Sequence, residues 1–146
     1  MKQLFILILI VTIIACNKVG NQPSNSKTGS FFKDPEQVAE IASKTLAKYY
    51  PNESFVSVER ISYLQSFRSD FAFVFYRTNL ATRSLVIKRN QKNPMVADYS
   101  TTVCWGYCDC KVKAIIGSDG SIDVGCSCTD CKQVTSTYQS LDDIGN

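Results

Sequence analysis

A chain of 146 residues with 45% hydrophobic and 20% charged residues has the composition of one ordinary folded domain rather than of a disordered segment. Its formal net charge of +3 is small and its charges are scattered, which argues against a nucleic-acid surface. Histidine is absent, and with it go Ser-His-Asp and Cys-His nucleophile pairs, the HExxH zinc helix and every imidazole metal ligand.

Met1-Lys2 supplies a short positive start, and Leu4 to Ile14 is then apolar except for Thr12. About 11 helical residues reach roughly 16 Å, far short of the ~30 Å hydrocarbon core of a bilayer. The stretch therefore has the length of a signal-peptide hydrophobic region, with small Ala15 at the cut. Residues 1–15 are expected to be removed. Asn17 to Ser30 (NKVGNQPSNSKTGS) is polar, without apolar period, and is expected to form with Cys16 a flexible tether over residues 16–30.

The run Ile13-Ile14-Ala15-Cys16 resembles the lipobox of bacterial lipoproteins. The resemblance covers residues 1–16 only. It implies that the Cys16 thiol receives a diacylglyceryl group, that the signal is cut just before it, and that the new amine is acylated. Two or three acyl chains then hold a protein stably to a bilayer, at about 0.8 kcal/mol per buried CH₂. Asn17 in place of Asp after the lipidated cysteine implies, by the same resemblance, sorting to the outer membrane, with the domain facing the periplasm.

The folded part is expected over residues 31–135, as a single α+β domain: one N-terminal helix packed on an antiparallel sheet, with a disulfide-stapled C-terminal hairpin. Asp34 is placed to cap a helix, Pro35 suits its first turn, and Gln37 follows the cap by three residues as in a capping box. Val38, Ile41, Ala42, Thr45, Leu46 and Tyr49 then fall on one face, and Pro51 stops the helix. Ser54 to Leu64 reads as a strand whose alternation shifts near Glu59-Arg60, which predicts a bulge. Phe71 to Tyr76 is apolar on both faces and reads as the central strand, with Phe71, Phe73 and Phe75 expected to face the helix. Ser84 to Lys88 is another strand. Asn90 to Pro94 reads as a loop, and Ser136 to Asn146 as a frayed tail.

The chain has seven cysteines. If the lipobox consumes Cys16, six remain, all between Cys104 and Cys131: Cys104, Cys108, Cys110, Cys126, Cys128 and Cys131. An even set in an exported protein predicts disulfides. Ser118-Asp119-Gly120 predicts a three-residue turn closed by a left-handed glycine, which pairs Ile116 with Ile122, Ala114 with Val124 and Val112 with Cys126. Continued by two residues, that register sets Cys110 opposite Cys128 and favours this bridge. Cys108–Cys131 and Cys104–Cys126 would complete the set, one of 15 possible pairings. Soft-metal binding by the thiolates and exchange at Cys128-Thr129-Asp130-Cys131 are the competing readings.

Trp105 and Tyr107 sit inside the first cysteine cluster. They read either as a rigid recognition tip or, for Trp105, as a cover for the core. No catalytic constellation stands out and no cofactor is called for. The chain is expected to be a non-enzymatic binding or structural module whose partners are the bilayer, through acylated Cys16, and an unidentified envelope component. A periplasmic thiol-redox or metal-handling protein is the alternative.

Overall fold

A computed structural model describes residues 31–90 and 99–144. Helix α1 (Pro35–Tyr49) is followed by β1 (Phe55–Gln65), β2 (Ser69–Thr78), β3 (Thr82–Asn90), β4 (Tyr99–Gly106), β5 (Val112–Ile116), β6 (Ile122–Cys126) and β7 (Cys131–Tyr138), and then one 3₁₀ turn (Leu141–Asp143). Cys16, the signal segment and the tether lie outside the described residues, as do residues 91–94 of the expected loop; Asn90, expected to open that loop, is instead the last residue of β3, paired with Ser69. Among the described residues no helix is long and apolar enough to cross a membrane.

The helix starts as its sequence dictates. Asp34 Oδ1 accepts the Gln37 N–H at 2.7 Å, filling one of the orphan donors of the first turn. The reciprocal bond of the capping box lands one residue early: Gln37 Oε1 accepts from Lys33 N at 2.9 Å. Val38, Ile41, Ala42, Thr45 and Leu46 are buried along one face, as the period predicts. At the other end the Tyr50 N–H still reaches the Leu46 carbonyl at 2.7 Å before Pro51 ends the helix.

Five strands form one sheet in the order β1-β2-β3-β4-β7, every neighbouring pair antiparallel. The register of β1 against β2 slips between Val58 and Arg60, at the expected bulge, and again between Phe55 and Ser57. Strands β5 and β6 form a separate hairpin whose register, Val112↔Cys126, Ala114↔Val124 and Ile116↔Ile122, is the predicted one. Its turn closes at Gly120, which has φ +77, with the Gly117 N–H donating to the Ser121 carbonyl at 2.9 Å.

The molecule has three layers, because β2 is apolar on both sides. Ala72, Val74 and Tyr76 meet the helix together with Leu85, Ile87 and Val103. Phe71, Phe73 and Val86 meet the hairpin through Val112, with Phe75, Ala114, Ile122 and Val124 partly buried beside them. The expectation that the three phenylalanines face the helix is therefore corrected. They point to the opposite side of the sheet, where the hairpin supplies the cover that a two-layer domain would lack. Nor is β2 the middle strand: that place belongs to β3, since β4 and β7 add to its far edge.

Residues 136–144 are not a frayed tail. Strand β7 runs to Tyr138, paired with Tyr99, and Ile144 is 1% exposed within the helix-side core. Asp142 draws the segment back to the start of α1, accepting from Lys33 Nζ at 2.7 Å and Gln37 Nε2 at 2.9 Å.

Candidate functional site

The cysteines come together because two strand pairs bring two loops side by side. Strand β4 ends opposite the first residue of β7, Gly106↔Cys131. Strand β5 begins opposite the last residue of β6, Val112↔Cys126. The loops 107–111 and 127–130 must therefore run next to each other. Ser127 stitches them: its N–H donates to the Lys111 carbonyl at 2.8 Å, its hydroxyl donates to the Asp109 carbonyl at 3.0 Å, and the same oxygen accepts the Lys111 N–H at 2.9 Å. Gly106 lets the second loop settle, since a Cβ there would lie 2.6 Å from the Asp130 carbonyl oxygen and 3.3 Å from Cys110 Sγ.

Three disulfides tie the loops and the strand ends beside them: Cys104–Cys126, Cys108–Cys128 and Cys110–Cys131, with Cα separations of 5.6, 6.9 and 5.7 Å. The first is one of the two bridges expected to complete the set, while the favoured Cys110–Cys128 bridge is not formed. The predicted Cys110–Cys128 and Cys108–Cys131 bridges are exchanged, and the reason is local. The hairpin ladder stops at Val112↔Cys126; beyond it one backbone bond remains, Ser127 N–H to the Lys111 carbonyl, while the Lys111 N–H turns to the Ser127 hydroxyl. Cys110, fully buried, turns into the sheet and meets the first residue of β7 instead of the residue facing it across the hairpin.

Four of the six sulfurs form one group. The Sγ atoms of Cys108, Cys110, Cys128 and Cys131 all lie within 4.8 Å of one another. Across the two bridges, Cys131 Sγ is 3.0 Å from Cys128 Sγ and 3.1 Å from Cys108 Sγ, and Cys108 Sγ is 3.5 Å from Cys110 Sγ. Cys110 is buried and the other three are partly exposed. Cys104 and Cys126 are not members of this group. Cys104 is buried, its sulfur 3.7 Å from the Gly125 carbonyl oxygen.

Both aromatics are exposed, but only Tyr107 lies in the loop that carries the sulfurs; Trp105, next to Cys104 in β4, points by strand alternation to the face that Val103 shares. Tyr107 is 106% exposed and Trp105 36%, with Lys132 Nζ 5.5 Å from the Trp105 ring centroid. Trp105 belongs to neither core cluster and so is not a cover for the core. Away from the sulfurs, a cleft of about 420 Å³ opens between the β1–β2 turn and the tip of the hairpin, lined by Phe67, Arg68, Phe71, Lys88, Asp119 and Ile122 among others.

One residue that matters here escapes the sequence pattern. Tyr50, at the end of α1, donates its hydroxyl to the Cys104 carbonyl at 2.7 Å. Its ring lies 4.1 Å from the Arg83 guanidinium, and Arg83 is in turn ion-paired with Glu53. The residues are 54 positions apart in the chain, and no local spacing announces the contact.

No family model, curated protein sequence or solved structure matches this chain significantly.

Proposed function

We infer that the chain is an envelope lipoprotein, anchored at the outer membrane through acylated Cys16, whose domain is a non-enzymatic binding module facing the periplasm. The observation that carries this reading is the sulfur count. Of seven cysteines, the fold pairs six, and the one left over stands at the end of the lipobox-like run. Cross-links of this density suit a small exported domain, whose core is limited by its size. Tyr107 stands on the loop 107–111, which two bridges brace, and Trp105 lies just before it near the end of β4. That loop is where a partner is expected to dock, because rigid aromatics gain contact area at little cost in side-chain entropy.

The test is expression of the full chain and of Cys16→Ser in a Gram-negative host, with labelled palmitate and membrane fractionation. The wild type is expected to carry label and to sediment with the outer membrane, and the variant to lose both. A Cys16→Ser protein that still sediments with membranes would overturn the anchor. For the binding surface, a photo-crosslinker at position 107 is expected to capture one defined envelope component, and Trp105→Ala to abolish that capture. Crosslinks that Trp105→Ala leaves unchanged would overturn the docking loop.

A second reading, a thiol-redox or metal-handling protein, is favoured by one observation only, the grouping of four sulfurs apart from the other two.

A further inference from the structure

We propose that Cys108, Cys110, Cys128 and Cys131 form a redox-gated zinc site. In the oxidised chain they make the bridges Cys108–Cys128 and Cys110–Cys131; in the reduced chain the same four thiolates hold one Zn²⁺, while Cys104 and Cys126 take no part. The inference rests on the second reading of function and does not depend on the lipid anchor.

Geometry carries it. Tetrahedral zinc takes four thiolates at about 2.3 Å, which sets the sulfurs roughly 3.8 Å apart. Here all four already lie within 4.8 Å of one another, and the contacts between the bridges, 3.0, 3.1 and 3.5 Å, need widen by less than about 1 Å. The bonded pairs open once reduced. Two loops contribute two ligands each, Cys108-Asp109-Cys110 and Cys128-Thr129-Asp130-Cys131, and both loops are fixed by the strands that flank them and by Ser127. Gly106 keeps the space beside Cys110 and Cys131 free of a side chain. The four-thiolate complex carries two net negative charges; the side chains adjoining the ligands, Asp109, Lys111, Asp130 and Lys132, sum to zero, and Lys111 is paired with Asp109 at 2.7 Å, so sulfur geometry and not local charge carries the site. Histidine is absent, so no imidazole competes for the ion, and the donors this cluster offers are all soft sulfur.

The chemistry balances with a dithiol as reductant. Cys108–Cys128 opens first, because neither partner is fully buried. The dithiol gives up two electrons and two protons, closing to its own disulfide, and two protein thiols form. The new Cys128 thiolate stands 3.0 Å from Cys131 Sγ. Its attack makes a Cys128–Cys131 bond and expels Cys110 as thiolate, which carries the next oxidised pair to the more accessible side. A second dithiol reduces that bond. Binding of Zn²⁺ then displaces four protons, and two disulfide acceptors reverse the sequence, each taking two electrons and opening to two thiolates, so that both protein bridges re-form and the ion is released.

The experiment uses the full chain in detergent, reduced with a phosphine under argon and titrated with Co²⁺ as a spectroscopic probe. The expected result is one Co²⁺ per chain with the charge-transfer and ligand-field bands of a tetrahedral tetrathiolate, displaced one for one by Zn²⁺. Cys128→Ser and Cys131→Ser are each expected to weaken binding by more than the ~10–100-fold typical of second-shell changes. The Cys104→Ser/Cys126→Ser variant is expected to keep both stoichiometry and spectrum. Should that variant fail to fold, alkylation of the wild type gives the same answer: Zn²⁺ should slow labelling of the four cluster cysteines and leave Cys104 and Cys126 unchanged. Less than one metal per chain, a spectrum of fewer than four thiolates, or protection that falls on Cys104 and Cys126 would overturn the proposal. None of these outcomes bears on the anchor at Cys16.

Discussion

The hydroxyl of Tyr50 donates to the carbonyl of Cys104 at 2.7 Å, which ties the end of the helix to the strand that opens the cysteine region. The bond reaches β4 one residue past its last pairing with β3, Leu85↔Val103, and joins the end of the helix to the start of the cysteine region. Burial holds the Tyr50 phenol above its ordinary pKa, so it remains a donor throughout the neutral range. Replacing it by Phe keeps the ring against Arg83 and removes only the bond. We expect Tyr50→Phe to cost about 1 kcal/mol in urea unfolding at neutral pH, with no change in far-ultraviolet circular dichroism.

Beside this contact, Glu53 accepts from Arg83 and also from the Thr78 hydroxyl at 2.7 Å. The Arg83 hydrogen bond holds the Glu53 carboxyl below its ordinary pKa of 4.5. A lowered carboxylate pKa means that the unfolded chain binds the proton more readily. The stabilisation is therefore complete above the unfolded value and is lost as pH falls through the folded one. Unfolding free energy should decline below about pH 4.5, and Glu53→Gln should flatten that acid limb while lowering stability at pH 7. Equal acid slopes in the two proteins would refute the assignment.

The bridges make a prediction about order of reduction. Cys104 and Cys110 are fully buried, whereas Cys108 and Cys128 are both partly exposed. Under limiting phosphine, quenched in acid and mapped by mass spectrometry, Cys108–Cys128 should open before Cys104–Cys126. The oxidised map should show no Cys110–Cys128 peptide. Each bridge closes a loop of similar length, with sequence separations of 22, 20 and 21, so each is expected to contribute roughly 3 kcal/mol in the chain-entropy model, less for nested loops.

Gly106→Ala should be costly although the position lies at the end of a strand. The added Cβ meets the Asp130 carbonyl oxygen at 2.6 Å, and a backbone atom cannot swing aside as a side-chain tip would. A loss of about 1–3 kcal/mol, as for other overpacked sites, is expected in thermal unfolding of the oxidised protein.

The C-terminal segment supplies the fifth test. Ile144 is 1% exposed among the helix-side core residues, so Ile144→Ala should destabilise by about 2–5 kcal/mol. A frayed end would show no effect. Asp142→Asn, which removes an exposed ion pair with Lys33, should change stability much less.

Local rules made a good part of this molecule legible. Asp34, Pro35 and Pro51 bound the helix because capping and proline geometry are satisfied within a few residues. The hairpin register from Val112↔Cys126 to Ile116↔Ile122 follows from one glycine turn, and the slip near Glu59 shows as a break in alternation. The disulfide class was legible from an even count of cysteines once Cys16 is set aside. Strands β4 and β7 carried a signal in their β-branched runs, Thr101-Thr102-Val103 and Val134-Thr135, that the cysteine pattern overshadowed.

Amino-acid order alone thus determined the helix, the hairpin, the antiparallel sheet and the presence of sulfur bridges, all of which depend on neighbours within one or two turns or along one ladder. Tertiary structure alone decided which face of β2 meets the helix, that the last residues close onto the start of α1, which cysteines pair, and that four sulfurs share one space. Those outcomes depend on where separate elements pack. Phe71 and Phe73 read the same whichever apolar layer covers them, and Cys110 can reach either Cys128 or Cys131 until the meeting of β4 with β7 brings one within bonding range.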